Sequence, residues 1–324
     1  MKYLVTGGFG FIGTNLVVEL LNQGHHVVVI DDCSSDSVAS PQWSDKCDFI
    51  QCDIANPNFY RKFLDGVDTC FHLAAKARVQ PSIKDPAHFD FTNVHGTVQL
   101  FKACVDAGVK KIVFSSSSSV YGDAEMPTAE THPFAPKSPY GLQKKIGEDY
   151  LKLFTEIYDI KGVALRYFNV YGEGMPLGGA YATAIGIFFN QVRNGDKITI
   201  FGDGEQTRDF TYVTDICEGL LLAAKSSINC DVFNLASGNP QSINYLASLI
   251  SPHCTYIPKR PGEPDVTHAD ISKATNYLGY RPKVSFEDGV RRVLDSIDYW
   301  KDAPVWTPES IAKVTETWFN CLGN

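Results

Sequence analysis

Residues 3–21 read YLVTGGFGFIGTNLVVELL, and this stretch decides how the rest of the chain is read. An apolar, β-rich run enters a glycine turn, and the turn opens a segment with helical hydrophobic spacing. Gly7, Gly10 and Gly13 are spaced as GxxGxxG. Glycines so placed allow a tight turn, a close approach to a pyrophosphate and close packing of helix on strand, while the helix N-terminus offers N–H donors to an anion. Packing alone also produces such triplets, so the weight of the motif comes from its context.

That context is an alternation. Short β-rich runs recur at residues 3–5, 27–30, 69–72, 112–114 and 163–165, with helix-like segments between them. The pattern predicts an α/β fold, a doubly wound parallel (Rossmann) sheet over residues 1–170, with ligands at the carboxyl ends of its strands. From about Tyr171 glycine, proline and aromatic residues dominate, in GEGMPLGGAY, FGDGEQTRDF and KRPGEPD. Residues 171–324 therefore read as a smaller α/β substrate-binding lobe, interleaved with the first domain and returning some segments to it. Residues 308–319 read as a helix without an assigned role.

Composition narrows the class. The 324 residues are 44% hydrophobic and 20% charged, with net charge -8 and no basic block, which disfavours a nucleic-acid or anionic-membrane partner. Nine scattered cysteines suit a reducing compartment better than a disulfide framework. The apolar runs are strand-sized, and the glycines after Met1-Lys2 leave no room for an export signal, so the expected location is cytoplasmic.

HHVVVIDD ends the second run with Asp31 and Asp32, eighteen residues after Gly13. An acid there accepts from adenosine ribose hydroxyls and repels a 2′-phosphate, which predicts NAD as cofactor. For Asp32 a solvated acidic turn is the alternative reading. In SPYGLQKKIGEDYLKLFTEIY, Tyr140 and Lys144 share a helix face, and Leu142, Ile146, Tyr150, Leu153 and Ile157 form an apolar stripe. A tyrosine acting as base near neutral pH must lose about three units from its usual pKa, or about 4 kcal/mol. A lysine about 4 Å away supplies about that much at an effective dielectric near 20. A tyrosine packed over a lysine stem is the structural alternative.

GGFGFIG, Asp31, Asp53-Ile54, HLAA, Asn93, the SSS…VYG segment, YGLQK, RYFNVYG and GDGEQTRDFTYV follow one another along the chain. Their order over residues 2 to about 290 resembles the extended short-chain dehydrogenase/reductase family, and within it the nucleotide-sugar 4-epimerases, with the UDP-N-acetylglucosamine 4-epimerase group nearest and the UDP-glucuronate and UDP-glucose groups close by. The resemblance implies Tyr140 as base, Lys144 as its activator and a nicotinamide-ribose ligand, and Ser117 as the catalytic hydroxyl. It implies cofactor contacts at Phe11, Ile12, Asp31, Asp53, Ile54, Leu73, Ala74, Ala75, Asn93, Ser115 and Tyr167. Lys76 stands where many relatives carry glutamine and receives no role.

The same resemblance separates the reactions. Sugar-nucleotide 4,6-dehydratases carry an acid and a base in the segment that here reads Ser117-Ser118-Ser119-Val120, and decarboxylating relatives keep a glutamate. Serine hydroxyls orient a sugar and pass a proton but do not take up a carbon-bound one. The expectation is reversible C4 inversion of a UDP-hexose, against a dehydratase or reductase and, in another class, a non-catalytic NAD-binding regulator. Asn169, Arg208, Arg260 and Glu263 are implied nucleoside-diphosphate ligands, and Ser82, Ser118, Ser119 and Tyr181 sugar contacts. Thr267, where glucose-specific relatives carry a bulky tyrosine, predicts room for a 2-acetamido or 6-carboxylate sugar. Among the eight histidines none shows metal-ligand spacing, so no metal is assigned, and Cys33, two residues after Asp31, reads as a simply buried cysteine, with a place near the adenosine as the alternative. A homodimer through the tyrosine helix is the family expectation, the stripe fitting either a dimer face or core packing.

Overall fold

Thr6, Asp31, His72 and Ser117 end four of the strands in a seven-stranded, wholly parallel sheet. The computed structural model describes residues 1–34, 43–176, 184–259, 264–296 and 307. Tyr181, Arg260, Glu263 and residues 308–319 lie outside the described residues. In chain order the first six strands are β1 (Lys2–Thr6), β2 (His26–Asp31), β3 (Asp48–Gln51), β4 (Thr69–His72), β5 (Lys111–Ser117) and β6 (Lys161–Tyr167). The seventh, Cys230–Leu235, pairs with β6, and the sheet runs from it through β6, β5, β4, β1 and β2 to β3. Strand order therefore reverses between β1 and β4, the place where a doubly wound sheet opens a crevice for a ligand.

The sheet is buried on both faces, as parallel strands require. Tyr3, Val5, Val27, Val29, Phe71, Val113 and Leu165 share one apolar cluster with Leu16, Leu20 and Leu220, while Leu4, Val28, Cys70, Ile112, Phe114 and Ala164 share the other with Leu100, Phe101 and Phe154. The alternation is the period-2 pattern of a pleated strand. A further cluster, with Ile185, Phe188, Phe189, Ile198, Leu246 and Phe286, forms the core of the second half. Short paired strands accompany it there: Val170–Tyr171 with Thr211–Tyr212, Thr207–Arg208 with Gln241–Ser242, and Ile198–Phe201 with Cys254–Ile257.

All five predicted strands are present. β3 is missed because DFIQ is short and only half-buried, and the seventh strand because it lies far along the chain within the lobe segment. The helix Pro139–Ile157 is also where it was expected, but its core side is not the apolar stripe. Leu142, Leu153 and Ile157 are exposed, and the helix buries Gly141, Gln143, Lys144, Gly147, Leu151 and Phe154 instead. Core packing is thereby overturned as the reading of those three residues.

Candidate functional site

The glycine turn closes against β4. Gly7 sits at φ +71°, and a Cβ on it would come 2.7 Å from Ala74 N. A Cβ on Gly13 would lie 2.0 Å from Gly7 O, so the helix Phe11–Asn22 approaches the turn more closely than any side chain permits. Gly10 caps that helix with no side-chain acceptor, and its first turn has no acidic residue, an arrangement suited to an anion. Phe11 and Ile12 pack from this turn onto the apolar clusters.

Asp31, buried at the end of β2, holds this turn in place. Its carboxylate accepts from Phe9 N and Cys33 N, both at 2.8 Å, and burial raises its pKa. Each oxygen keeps a second lone pair for a ribose hydroxyl. Asp32 instead faces Lys76, whose ammonium lies 3.2 Å from Oδ2 and also bonds Ser34, and these partners hold its carboxyl low despite burial. Asp53 accepts from Ala55 N at 2.8 Å and orients Ile54, which is buried against Gly96.

A directed row of hydrogen bonds crosses the end of β4. Ala74 N donates to Thr6 Oγ1 at 3.2 Å, and Thr6 Oγ1 bonds His72 Nδ1 at 2.8 Å. His72 Nε2 bonds Thr97 Oγ1 at 2.9 Å, and Thr97 donates to Asn93 O at 2.7 Å. Because Thr97 gives its proton to Asn93, His72 carries its hydrogen on Nε2 and accepts on Nδ1. Burial and the nearby Lys144 charge push the imidazole down to about 3, so it is a neutral core histidine. Asn93, within the π-helical turn Phe91–Gly96, clamps the Lys76 backbone through both amide atoms, at 2.8 and 2.9 Å, and reaches Gln143 at 3.0 Å. Leu73, Ala74 and Ala75 line the half-buried rim that this clamp secures.

At the end of β5 the serines divide. Ser115 Oγ bonds the Tyr167 hydroxyl at 2.8 Å, whereas Ser116 points to the opposite face and bonds Glu148. Ser117 accepts from Ser119 N and Ser119 Oγ, at 3.2 and 2.8 Å, leaving its own proton to give. Ser118 begins the single helical turn Ser118–Val120. Ser138 caps the long helix at Gly141 N, and a Cβ on Gly141 would come 2.6 Å from Ser119 O, so the helix start packs onto the serine segment. Ser82, fully buried, accepts from Tyr140 N at 3.1 Å and donates to Val79 O.

Tyr140 is pushed up to about 12 by burial, with the Ser117 hydroxyl acting to lower it. Lys144 is held down at about 8 by burial. Its ammonium donates to Ser115 O at 2.8 Å and lies 5.9 Å from the Tyr140 ring centre. Bringing a phenol from about 12 to neutrality takes about 7 kcal/mol, more than the roughly 4 kcal/mol that a cation supplies at about 4 Å and an effective dielectric near 20. The shift asked of Tyr140 is therefore larger than for a free phenol, and burial acts against the charged form of both groups.

On the other side of the crevice Asn169, at φ +32°, donates to Thr267 Oγ1 at 2.9 Å, and Asp209 N reaches the same oxygen at 3.2 Å. Arg208 is buried beside them, its guanidinium on Thr207 O at 2.8 Å. Asp209 accepts from Ser237 N, Gly238 N and Ala269 N at 2.9–3.1 Å and ties three loops together.

Residues 3–236 match the NAD dependent epimerase/dehydratase family. The chain belongs to the NAD dependent epimerase/dehydratase family. It is similar to the UDP-N-acetylglucosamine 4-epimerase from Methanobrevibacter ruminantium M1, solved in complex with UDP-N-acetylmuramic acid, at 37% identity and a TM-score of 0.86, covering 93% of this chain and 97% of that one. The UDP-glucuronic acid 4-epimerase from Bacillus cereus, solved with UDP-glucuronic acid and NAD, has 36% identity and a TM-score of 0.84, covering 92% and 99%. The UDP-glucose 4-epimerase of Mycolicibacterium smegmatis is 34% identical over 307 residues, 91% of this chain and 98% of the relative.

The family's cofactor is NAD, and the turn fits it: Gly7 and Gly13 leave a cradle that a Cβ would fill, and Asp31 stands buried at the end of β2 beside it. Among the described residues no helix is long and apolar enough to cross a membrane, and no cluster of metal-ligating side chains occurs. Several residues of this epimerase/dehydratase site escaped the sequence reading. Arg166 is an arginine inside the apolar run GVALRY, which signals a buried partner, and Glu148 stands four residues after Lys144. Asp209 and Thr97 carry no local signal.

Proposed function

We propose that this chain catalyses C4 inversion of a UDP-hexose, with UDP-N-acetylglucosamine and UDP-N-acetylgalactosamine as the preferred pair and UDP-glucose/galactose or UDP-glucuronate as the nearest alternatives. The observation that carries the reading is the meeting of Ser117, Tyr140 and Lys144 at the end of β5, in a segment where Ser118 and Ser119 offer no acid or base. NAD, when bound, supplies a reversible acceptor for the C4 hydride. Gly7, Gly10, Gly13, Phe11, Ile12, Asp31, Asp53, Ile54 and Leu73 to Ala75 hold its adenosine and diphosphate, with Asn93, Ser115, Tyr140, Lys144 and Tyr167 toward the nicotinamide and its ribose.

Tyr140 takes the C4 hydroxyl proton, assisted by Ser117, whose acceptor capacity is filled by Ser119 and whose proton is free to move. Lys144 stabilises the phenolate jointly with the charge of the oxidised cofactor. The 4-keto sugar turns its other face to the same groups, and Tyr140 returns the proton. Asn169, Arg208 and Thr267 hold the nucleotide-sugar side, and the exposed residues Leu142, Leu153 and Ile157 form the contact of a homodimer.

Incubation with a panel of UDP-hexoses without added NAD, followed by proton NMR of the C4 configuration, tests the reading. Inversion of UDP-N-acetylglucosamine is the expected result. Loss of water or carbon dioxide, or net reduction, would establish a different reaction, and inertness toward every UDP-hexose would refute the proposal.

A further inference from the structure

Behind the tyrosine lies a buried polar network with no part in the steps above. Glu148 stands one helical turn beyond Lys144. Its carboxylate accepts two bonds from the Arg166 guanidinium, Nε to Oε1 at 2.9 Å and Nη2 to Oε2 at 2.7 Å, and a third from the Ser116 hydroxyl. Arg166 is 1% exposed and donates through Nη1 to the Tyr121 hydroxyl at 2.7 Å and the Glu130 carbonyl at 3.3 Å. Its guanidinium lies over the rings of Tyr121 and Phe134, at 4.8 and 4.7 Å. Tyr121 passes its proton to Asn234 Oδ1 at 2.7 Å.

Such a pair is weak evidence for stability, since desolvation offsets attraction. Its position is more informative. Ser116 sits between Ser115, whose carbonyl holds Lys144, and Ser117, so the carboxylate fastens this strand end to the helix bearing Tyr140 and Lys144. The groups that face the Lys144 ammonium are Tyr140 and Glu148 from its own helix, His72 from β4 and the Ser115 carbonyl from β5, while Arg166, Tyr121 and Glu130 lie behind Glu148. His72 is neutral, and burial keeps the Tyr121 and Tyr167 phenols protonated at neutral pH. Glu148 thus remains as the charge beside Lys144, itself paired with Arg166, and it acts to raise the Lys144 pKa.

We infer that the Glu148–Arg166 pair is a positioning element for proton transfer: Glu148 keeps the buried Lys144 ammonium charged, Arg166 limits that effect, and together they set the pH range in which Tyr140 works. The inference rests on the roles of Tyr140 and Lys144 proposed above.

Opposite substitutions test it in the full-length holoenzyme. Glu148→Gln removes the carboxylate charge one helical turn from Lys144, and the alkaline limb of kcat is expected to move down by about one to two pH units, the scale of one charge about 6 Å away. Arg166→Met leaves the carboxylate alone, and the limb is expected to move up. The double variant falls between. The Lys144 midpoint itself, read by nitrogen NMR of labelled lysine and assigned with Lys144→Arg, is expected to shift in the same two directions. A merely structural role lowers activity at every pH and moves neither midpoint. Midpoints that stay fixed, or that shift alike in both single variants, overturn the inference; should Glu148→Gln fail to fold, the sign of the Arg166→Met shift decides. If no UDP-hexose is inverted yet the Lys144 midpoints separate as stated, the pair's role stands and the epimerase reading falls.

Discussion

Lys144 Nζ donates to the Ser115 carbonyl at 2.8 Å, so a bond to strand β5, and not to the phenol four residues earlier, aims this lysine. The phenol and the ammonium stand on one helix and meet β5 at different serines, Ser117 and Ser115, and each is expected to be needed. Tyr140→Phe and Lys144→Met should each lower kcat by about 10²–10⁴-fold, the usual scale for a lost acid–base group, with the far-ultraviolet dichroism spectrum unchanged. Steady-state rates on whichever UDP-hexose the wild type inverts provide the check, and a Tyr140→Phe variant with substantial turnover removes Tyr140 from its role.

His72 makes a prediction about acid stability. Its pKa falls from 6.5 to about 3 on burial, so below 6.5 the unfolded chain takes up a proton that the folded chain refuses. Stability is therefore lost as pH drops through that window, by up to about 1.4 kcal/mol per unit from this group. Urea unfolding at several pH values from neutrality to pH ~4 is expected to give a shallower pH slope for His72→Gln than for wild type, whatever its absolute stability.

Gly13→Ala forces a methyl into a space where it would meet Gly7 O at 2.0 Å. Helix and turn must separate, at a cost of about 1–3 kcal/mol, and the cradle for the cofactor diphosphate opens with them. The measurement is a melting curve with and without NAD. The variant is expected to melt lower and to lose the increment that NAD gives the wild type.

Thr267 Oγ1 receives both the Asn169 amide and the Asp209 backbone N–H. Thr267→Val keeps the shape and deletes the acceptor, leaving two donors unpaired at about 1–3 kcal/mol. A rise in KM for the nucleotide sugar, larger than the fall in kcat, is the expected signature; a fall confined to kcat would place Thr267 elsewhere in the reaction.

Leu153 is 45% exposed and Ile157 56% exposed on one side of the long helix. If that side is covered by a second copy, Leu153→Asp yields monomer in sedimentation analysis with a nearly unchanged dichroism spectrum. Identical sedimentation of variant and wild type would exclude this side as the contact.

The same helix shows where sequence reading succeeds and where it fails. Its extent was legible because SP caps it and the apolar period is helical, and the Tyr140–Lys144 face was legible from spacing alone. Its burial was not. The inward side carries Gln143, Lys144 and Glu148, polar residues made burial-competent by partners on β5, β6 and the π-helical turn, so hydrophobicity selects the wrong phase. The glycine turn and the place of Asp31 at the end of β2 were legible because they depend on local geometry. Thr97, Asp209 and Arg166 depend on residues far along the chain: Thr97 meets His72, Asp209 meets Ala269, and Arg166 meets Tyr121.

The seventh strand carries one more consequence. It is supplied from residue 230 onward, yet it covers the flank of β6 that would otherwise end the sheet. A fragment cut near residue 170 would bare a row of unpaired amides and carbonyls along Gly162 to Tyr167, a template for strand addition between molecules. The chain is thus indivisible at the point where its composition changes, and expression of the first half by itself is expected to give aggregate, not a small nucleotide-binding protein.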